Sequence, residues 1–293
     1  MTRILIAGQA VLDLIFDVDA IPDAARKYRA TGGRIAGGGC AANAAVAVAR
    51  LGGQAHLAAC VGDDEIGALI MDGLAAEGVE TSNIARRTGS RSSYSAVMVD
   101  PAGERQIVNL RGDPPGPPDA WRLPRLDAVL ADTRWVEGAA AALDLARAAG
   151  IPGILDAEPP VDAPLAENAS HVVFSRQGLS GFTGLDSIED GLHAAAARLP
   201  GWVAVTDGAA GCFWVARGAI AHAPSFAVEA VDTLGAGDVW HGAFTLRLAE
   251  GAARADAIRF AAAAAALKCT RPGGRAGTPD RAEVEKFLKE TDR

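Results

Sequence analysis

The sequence predicts an α/β fold: a mostly parallel central sheet covered by helices on both faces, with a small second sheet beside it. Three observations lead there. Short runs of branched aliphatic residues alternate with Ala-rich stretches of helical length, the rhythm of βα units. The 293 residues are 49% hydrophobic and 22% charged, an ordinary globular balance. A chain of this length buries a large core without staples, as one large domain or two modest ones. Finally, one section breaks the βα rhythm with a hairpin pattern.

The elements follow in order. Ile4 to Gly8 reads as a buried strand. Cys40 to Leu51 reads as a helix stopped by Gly52-Gly53. Ala55 to Val61 is a strand, and Asp63-Asp64 then caps a helix running through Glu77 to a stop at Gly78. Ala128 to Leu130, Gly153 to Leu155, His171 to Phe174 and Val203 to Thr206 are further buried strands, with helices at Gly138 to Ala149 and Ile188 to Arg198. The break comes at Tyr94 to Asp100 and Glu104 to Arg111, joined by the turn Pro101-Ala102-Gly103. Leu12 to Val18 and Tyr28 to Ile35 read as two more short strands. These four form either a separate small sheet or edge strands of the main one. Asp113 to Pro118 is Pro-rich and reads as a loop.

Composition excludes several classes. The net charge of −8 lacks the basic footprint of a nucleic-acid binder. No uncharged apolar run approaches the length of a membrane span: Ala261 to Leu267 is short and Lys268 ends it. No secretory signal is apparent. Cys40, Cys60, Cys212 and Cys269 are scattered, which fits a reducing cytoplasm better than a disulfide scaffold or a zinc ribbon. Aromatics are few, at 5 Trp, 2 Tyr and 8 Phe, while Gly numbers 34, so helices and strands can pack closely.

Three Gly-rich turns carry the chemistry. Asp232-Thr233-Leu234-Gly235-Ala236-Gly237-Asp238 precedes a helical run from Val239 to Glu250. Glycines at a helix N-terminus let backbone N–H groups converge on an anion, and the helix dipole adds positive character. No Lys-Ser/Thr pair follows, so the turn is not a Walker A loop. Asp238 beside such a site suits a general base for an attacking hydroxyl, or equally a capping residue. Gly37-Gly38-Gly39 opens the helix carrying Asn43, exposing backbone to a ligand or packing tightly against a strand. Thr206-Asp207-Gly208-Ala209-Ala210-Gly211 follows a strand, where open α/β sheets bind ligands or where a plain hairpin turns. No G-x-G-x-x-G occurs, which counts against a nicotinamide dehydrogenase, and zincin and serine-hydrolase motifs are absent.

Together these features resemble the PfkB (ribokinase-like) family of carbohydrate kinases over nearly the whole chain. Gly37 to Gly53 is similar to its first signature, Val231 to Gly242 to its second, and Thr206 to Gly211 to its nucleotide-binding turn. The resemblance implies a Rossmann-type three-layer sandwich forming one domain over 1–293, with a small β-sheet lid from segments 12–35 and 93–112. It implies Asp238 as catalytic base, and Gly235, Ala236 and Gly237 as the γ-phosphate anion hole. It implies Asp13, Gly38, Gly39 and Asn43 on the sugar, and Thr206, Gly208 and Gly211 with Gly235 and Gly237 on ATP. It also implies magnesium with ATP, a monovalent-cation (K+) site at Asp232 and Thr233 near Arg271 and Gly273, and a homodimer through the lid. One departure is plain: the family's magnesium-organising N-x-x-E motif is replaced by Ser175-Arg176-Gln177-Gly178.

Within the family, Gly33 to Ala44, Ser95 to Asn109, Val129 to Trp135 and Ala266 to Gly277 resemble the sulfofructose kinase branch. That resemblance implies transfer from ATP to the C1 hydroxyl of 6-deoxy-6-sulfofructose, in sulfoquinovose catabolism, with Lys27, Asn109 and Arg134 meeting the sulfonate. A fixed distal anion needs cations and neutral donors of this kind. Fructokinase, ketohexokinase, ribokinase, 2-keto-3-deoxygluconate kinase and sugar-phosphate kinase remain alternatives, as does a binding protein that has lost catalysis.

Overall fold

The computed structural model describes residues 1–113 and 115–291; Pro114, inside the loop expected at 113–118, and residues 292–293 lie outside the described residues. The strands are β1 (Arg3–Ala7), β2 (Val11–Asp17), β3 (Gly32–Gly38), β4 (Gln54–Gly62), β5 (Glu80–Arg87), β6 (Tyr94–Val99), β7 (Arg105–Leu110), β8 (Ala128–Asp132), β9 (Gly153–Ala157), β10 (His171–Ser175), β11 (Trp202–Thr206), β12 (Cys212–Ala216) and β13 (Ala219–Ala223). The helices are α1 (Cys40–Arg50), α2 (Glu65–Ala76), α3 (Val136–Ala149), α4 (Ala163–Asn168), α5 (Arg176–Thr183), α6 (Ile188–Arg198), α7 (Ala236–Ala249), α8 (Arg254–Cys269) and α9 (Arg281–Thr291).

The main sheet has the order β13-β12-β11-β10-β9-β8-β1-β4-β5. It is parallel from β11 to β5, and the β12 and β13 edge is antiparallel. Strand β1 shows why helices cover both faces. Ile4 and Ile6 pack into the cluster holding α1, α7 and α8, while Leu5 and Ala7 pack against Trp135 and Ala142 of the α3 side. A strand buried on both faces reads as a continuous apolar run, and this one does.

The second sheet, in the order β3-β2-β6-β7, stands apart from the first. Strand β2 pairs antiparallel with β3 and parallel with β6, and β6 and β7 form the expected hairpin. Some boundaries differ from expectation, and β3 begins at Gly32, not Tyr28. Tyr28 is instead tied into a local turn, its hydroxyl donating to the Asp23 carboxylate at 2.7 Å. Helix α2 is capped as expected by Asp64, which accepts from the Gly67 N–H at 2.7 Å. Helix α3 starts two residues before the predicted Gly138, and α7 starts at Ala236 rather than Val239, which places Asp238 in its first turn.

Helix α7 is buried from Val239 through Leu246 and lies directly on α1. Gly242 makes this approach possible, because a Cβ there would come within 2.6 Å of the Ala44 carbonyl. Closing that gap between helices brings Asn43 and Asp238 side by side, although 195 residues separate them.

Candidate active site

A cleft of about 410 Å³ opens between the two sheets. Asp13, Gly38, Gly39, Asn43, Asn109, Arg134, Gly235 and Asp238 all line it, so the structure brings together eight of the residues singled out in the sequence. Asp13 comes from β2, Asn109 from β7, Asn43 from α1 and Asp238 from α7. Gly235 holds the turn in a left-handed conformation, φ +78°, which favours glycine, and it is the N-cap of α7. Ala236 and Gly237 follow in the first turn of the helix; a Cβ at Gly237 would meet nothing within 4 Å, leaving that backbone open to a ligand.

The glycine triplet lines the cleft and also packs closely against its neighbours. A Cβ at Gly37 would fall on the Arg275 guanidinium, one at Gly38 on the Asp13 carboxylate, and one at Gly39 on the Gln9 carbonyl. Bare backbone at 37 and 38 therefore admits two side chains of the cleft wall, rather than serving only to expose main chain.

Electrostatics distinguish Asp238 from the other acids. Burial, and then the nearby Asp156 carboxylate, push Asp238 up to about 7, against the lowering effect of the Asn43 amide that donates to its Oδ2 at 2.7 Å. Burial likewise raises Asp13 and Asp132, and drives Asp156 well above the usual carboxylate range. Burial lowers His241, whose Nδ1–H donates to the Gly237 carbonyl at 2.8 Å and whose Nε2 lies 3.5 Å from Asp156 Oδ1. Cys40, Asp156 and Asp238 cluster with their polar atoms within 4.8 Å of one another. Burial and the surrounding aspartates hold the Cys40 thiol well above its ordinary range, so it stays neutral and is a poor partner for a hard cation.

The cleft also carries cations. Arg111, Arg134 and Arg275 line it together with Asp13 and Asp238, and Arg275 lies close enough to Asp13 to lower it. The Arg134 backbone N–H donates to Asp132 at 2.8 Å, and its guanidinium donates to the neutral Pro159 carbonyl at 2.8 Å. Asn109 donates to Ser95 Oγ at 3.0 Å. Lys27 does not join them. It lies exposed on the segment between β2 and β3, outside the cleft lining.

Thr206 ends β11 on the carboxyl edge of the sheet, and Gly208 sits in the short 3-10 turn beyond it. Asp207 is tied to Arg176 at 2.8 Å. Gly211 has a packing role: a Cβ there would strike the Ala223 carbonyl of β13. At the N-x-x-E position, Ser175 caps α5 by accepting from the Gly178 N–H at 3.0 Å. Gly178 presses on the Ala157 carbonyl, which leaves no room for a glutamate side chain.

Sequence reasoning missed Asp132, Asp156, Arg111 and Arg275. Asp132 orders the cleft wall, accepting from the N–H groups of Gln9 at 2.8 Å and Ala41 at 3.1 Å. A signal for the two acids existed: each lies at the carboxyl end of a buried strand, where α/β sheets place ligand-facing groups.

The profile of the pfkB family of carbohydrate kinases matches residues 1–281. The chain belongs to this family. Ribokinase of Bacillus subtilis (strain 168) is 32% identical over 297 aligned residues, spanning 98% of this chain and 100% of the relative. Fructokinase-1 of Zea mays is 28% identical across 86% of this chain and 88% of its own. A crystal structure of a provisionally assigned ribokinase from Agrobacterium tumefaciens superposes with a TM-score of 0.92 at 39% identity, covering 100% of this chain and 99% of that one. As a pfkB kinase, the protein is an ATP-dependent sugar kinase. The ribokinase-like fold accounts for the large, mostly parallel sheet with a separate small one.

Proposed function

We propose that this pfkB kinase phosphorylates the C1 primary hydroxyl of a ketohexose bearing a distal anion, 6-deoxy-6-sulfofructose, with Asp238 as the base. The observation that carries the reading is the charge of the cleft: three arginines against two aspartates, in a chain whose net charge is −8. One aspartate of the two, at about 7, is neutral for part of the physiological range. An anionic sugar is drawn to such a pocket, and Arg134 and Asn109 offer donors to its charged end.

In this reading Asp238 takes the C1 hydroxyl proton as the γ-phosphoryl group transfers in line. The N–H groups at Gly235, Ala236 and Gly237 receive the developing phosphate charge. The Asn43 amide holds Asp238 through its N–H, while its carbonyl oxygen, buried with no donor, is an acceptor for a sugar hydroxyl. Asp13, with the backbone of Gly38 and Gly39, orients the remaining hydroxyls, and Thr206, Gly208 and Gly211 border the nucleotide. The residues fit a magnesium ion arriving with ATP: Asp156 Oδ1 is buried without a hydrogen-bond donor, and Glu158 lies close enough to raise Asp156. Such an ion would neutralise phosphate charge, with these two carboxylates holding it or its waters.

The small sheet acts here as a lid that excludes water from the transfer. Its outer strand β7 is exposed along its whole length, with Ile107, Val108 and Leu110 uncovered, and Phe16 and Ile35 are exposed on the same sheet. An apolar sheet edge of this kind supports a homodimer formed lid to lid. The four free thiols suit a reducing cytoplasm, and no helix among the described residues is long and apolar enough to cross a membrane.

A neutral sugar is the second reading. It is favoured by the position of Lys27 outside the cleft and by relatives named for ribose and fructose. The test is sugar-dependent ADP release with sulfofructose, fructose, ribose and fructose 6-phosphate, on the wild type and on Arg134→Ala. The proposal expects the sulfonated sugar to be preferred, and Arg134→Ala to lose roughly tenfold or more on it while sparing fructose, the size of one lost charge-assisted hydrogen bond. Fast turnover of fructose or ribose with none of the sulfonated sugar would sink it.

A further inference from the structure

Asp232 opens the turn that leads to the catalytic end of α7, and the family resemblance implies a potassium ion beside it. The residues present do not fit that ion. An ionised carboxylate offers about four acceptor positions, and protein groups take all of those on Asp232. Oδ1 accepts from the Leu234 N–H at 2.9 Å and from Arg105 at 3.0 Å. Oδ2 accepts from the N–H groups of Gly273 at 3.0 Å and Gly274 at 2.9 Å. The main-chain carbonyl of Asp232 is also engaged, by the ammonium of Lys268 at 2.6 Å. That ammonium lies 3.6 Å from Oδ1, and the Lys268 side chain is 0% exposed.

We infer that Lys268 replaces the monovalent cation, making this kinase independent of potassium. An ammonium group and K+ carry the same charge, are similar in size, and both seek carbonyl and carboxylate oxygens. Burying an ammonium is prohibitive unless it is paired, and Lys268 has that pairing on the Asp232 turn. A second cation would meet Lys268 and Arg105 at close range and find no free oxygen on the carboxylate. The role of Lys268 is positional. It closes α8 and clamps the Asp232 turn, where the Cys269 carbonyl also accepts from the N–H groups of Val231 at 2.8 Å and Asp232 at 3.1 Å. Three residues further along, the same turn presents the Gly235 cap of α7 to the cleft. A potassium-dependent relative needs an ion from solution to order this turn; here the order is covalently attached.

The inference rests on the sugar-kinase chemistry of the family and not on which sugar is used, so the best acceptor from the sugar panel serves. Turnover is measured from no KCl to about 100 mM KCl, with choline chloride holding the ionic strength constant. The wild-type rate is expected to stay flat. Lys268→Met is expected to lose roughly tenfold or more in kcat with little change in sugar KM, and to regain activity with ammonium or potassium but not choline. A readout free of any substrate comes from crystals soaked in rubidium: none at Asp232 in the wild type, and a bound ion there in Lys268→Met. A saturable potassium activation of the wild type, or rubidium at Asp232 with Lys268 in place, overturns the inference even if Lys268→Met fails to fold. A folded Lys268→Met variant of normal activity and no ion response overturns it too.

Discussion

Replacing Asp238 with Asn removes an acid that the fold holds at a loss, and should stabilise the protein while disabling it. The carboxyl is raised from 3.8 to about 7, chiefly by burial. The folded state therefore holds the Asp238 proton more tightly than the unfolded chain does. Stability falls as pH rises from about 4 towards 7, and the full penalty is present above 7. Three pKa units correspond to about 4 kcal/mol. The cleft is open to water, and the new amide brings donors that need partners, so a gain of about 2–4 kcal/mol is the expectation, or about 4–10 °C in Tm. Asn43 can keep its contact, because an asparagine carbonyl still accepts from its amide. The assay is thermal unfolding of ligand-free wild type and Asp238→Asn at pH 5, 6, 7 and 8, with ADP release measured in parallel. The difference in Tm should grow from pH 5 to 7 and level off, while turnover falls by about 10² or more. A difference that ignores pH, or a loss of Tm at pH 8, would refute the account of a buried, disfavoured carboxylate. A near-normal rate would refute Asp238 as the base.

The pH profile of kcat/KM for the sugar should fall below about pH 7 with one protonation, following Asp238, since only the ionised carboxylate accepts the hydroxyl proton. A flat profile between pH 5.5 and 8 would place the base elsewhere. Two glycines should behave oppositely: Gly37→Ala should lower Tm, because the new methyl lands on Arg275, while Gly237→Ala should fold with its Tm nearly unchanged, because the space there is open, and should lose turnover, because the proposed function puts the phosphate there. Unfolding scans and rates on both variants check this, and equal destabilisation of the two would remove the distinction.

What the sequence made legible was local. Helices α1 and α7, the buried strands and the β6–β7 hairpin each carry their own pattern: a glycine stop, an aliphatic run, a Pro-Ala-Gly turn. Asp238 and its glycines were legible for the same reason, since a turn and the helix it opens lie within a few residues. Strand β5, with the sequence Glu-Thr-Ser-Asn-Ile-Ala-Arg-Arg, has no alternation to read and is fixed by its pairing with β4. Arg275 was invisible because its place is defined by contact with Gly37, far away in sequence. Lys268 was noticed only as the charge ending an apolar run; its partner lies 36 residues back, on the far side of α7 and α8 in the sequence.

These long-range contacts also explain how an acidic protein prepares a site for anions. Global charge acts through solvent and is screened within roughly 10 Å at moderate salt, so it does not set the potential inside a cleft. There the fixed groups decide. Arg111, Arg134 and Arg275 converge from three separate parts of the chain, and the acids that line the cleft with them are weakened by burial. Asp232, the acid that stays ionised, is turned away from this task. Burial works against its charge, but the Gly274 and Leu234 N–H groups, Lys268 and Arg105 hold it below the usual carboxylate range. On the proposed function, the site keeps one carboxylate poised near neutrality to take a proton, while another, neutralised by its partners, holds the turn assigned to the phosphate. If that division is right, charge removal at the two positions must differ in kind. Asp238→Asn should be inactive and more stable, whereas Asp232→Asn leaves Lys268 and Arg105 without their counter-charge and should be both less active and less stable. Unfolding scans at pH 8 distinguish the two, and a stabilised Asp232→Asn would show that the two carboxylates are not divided in this way.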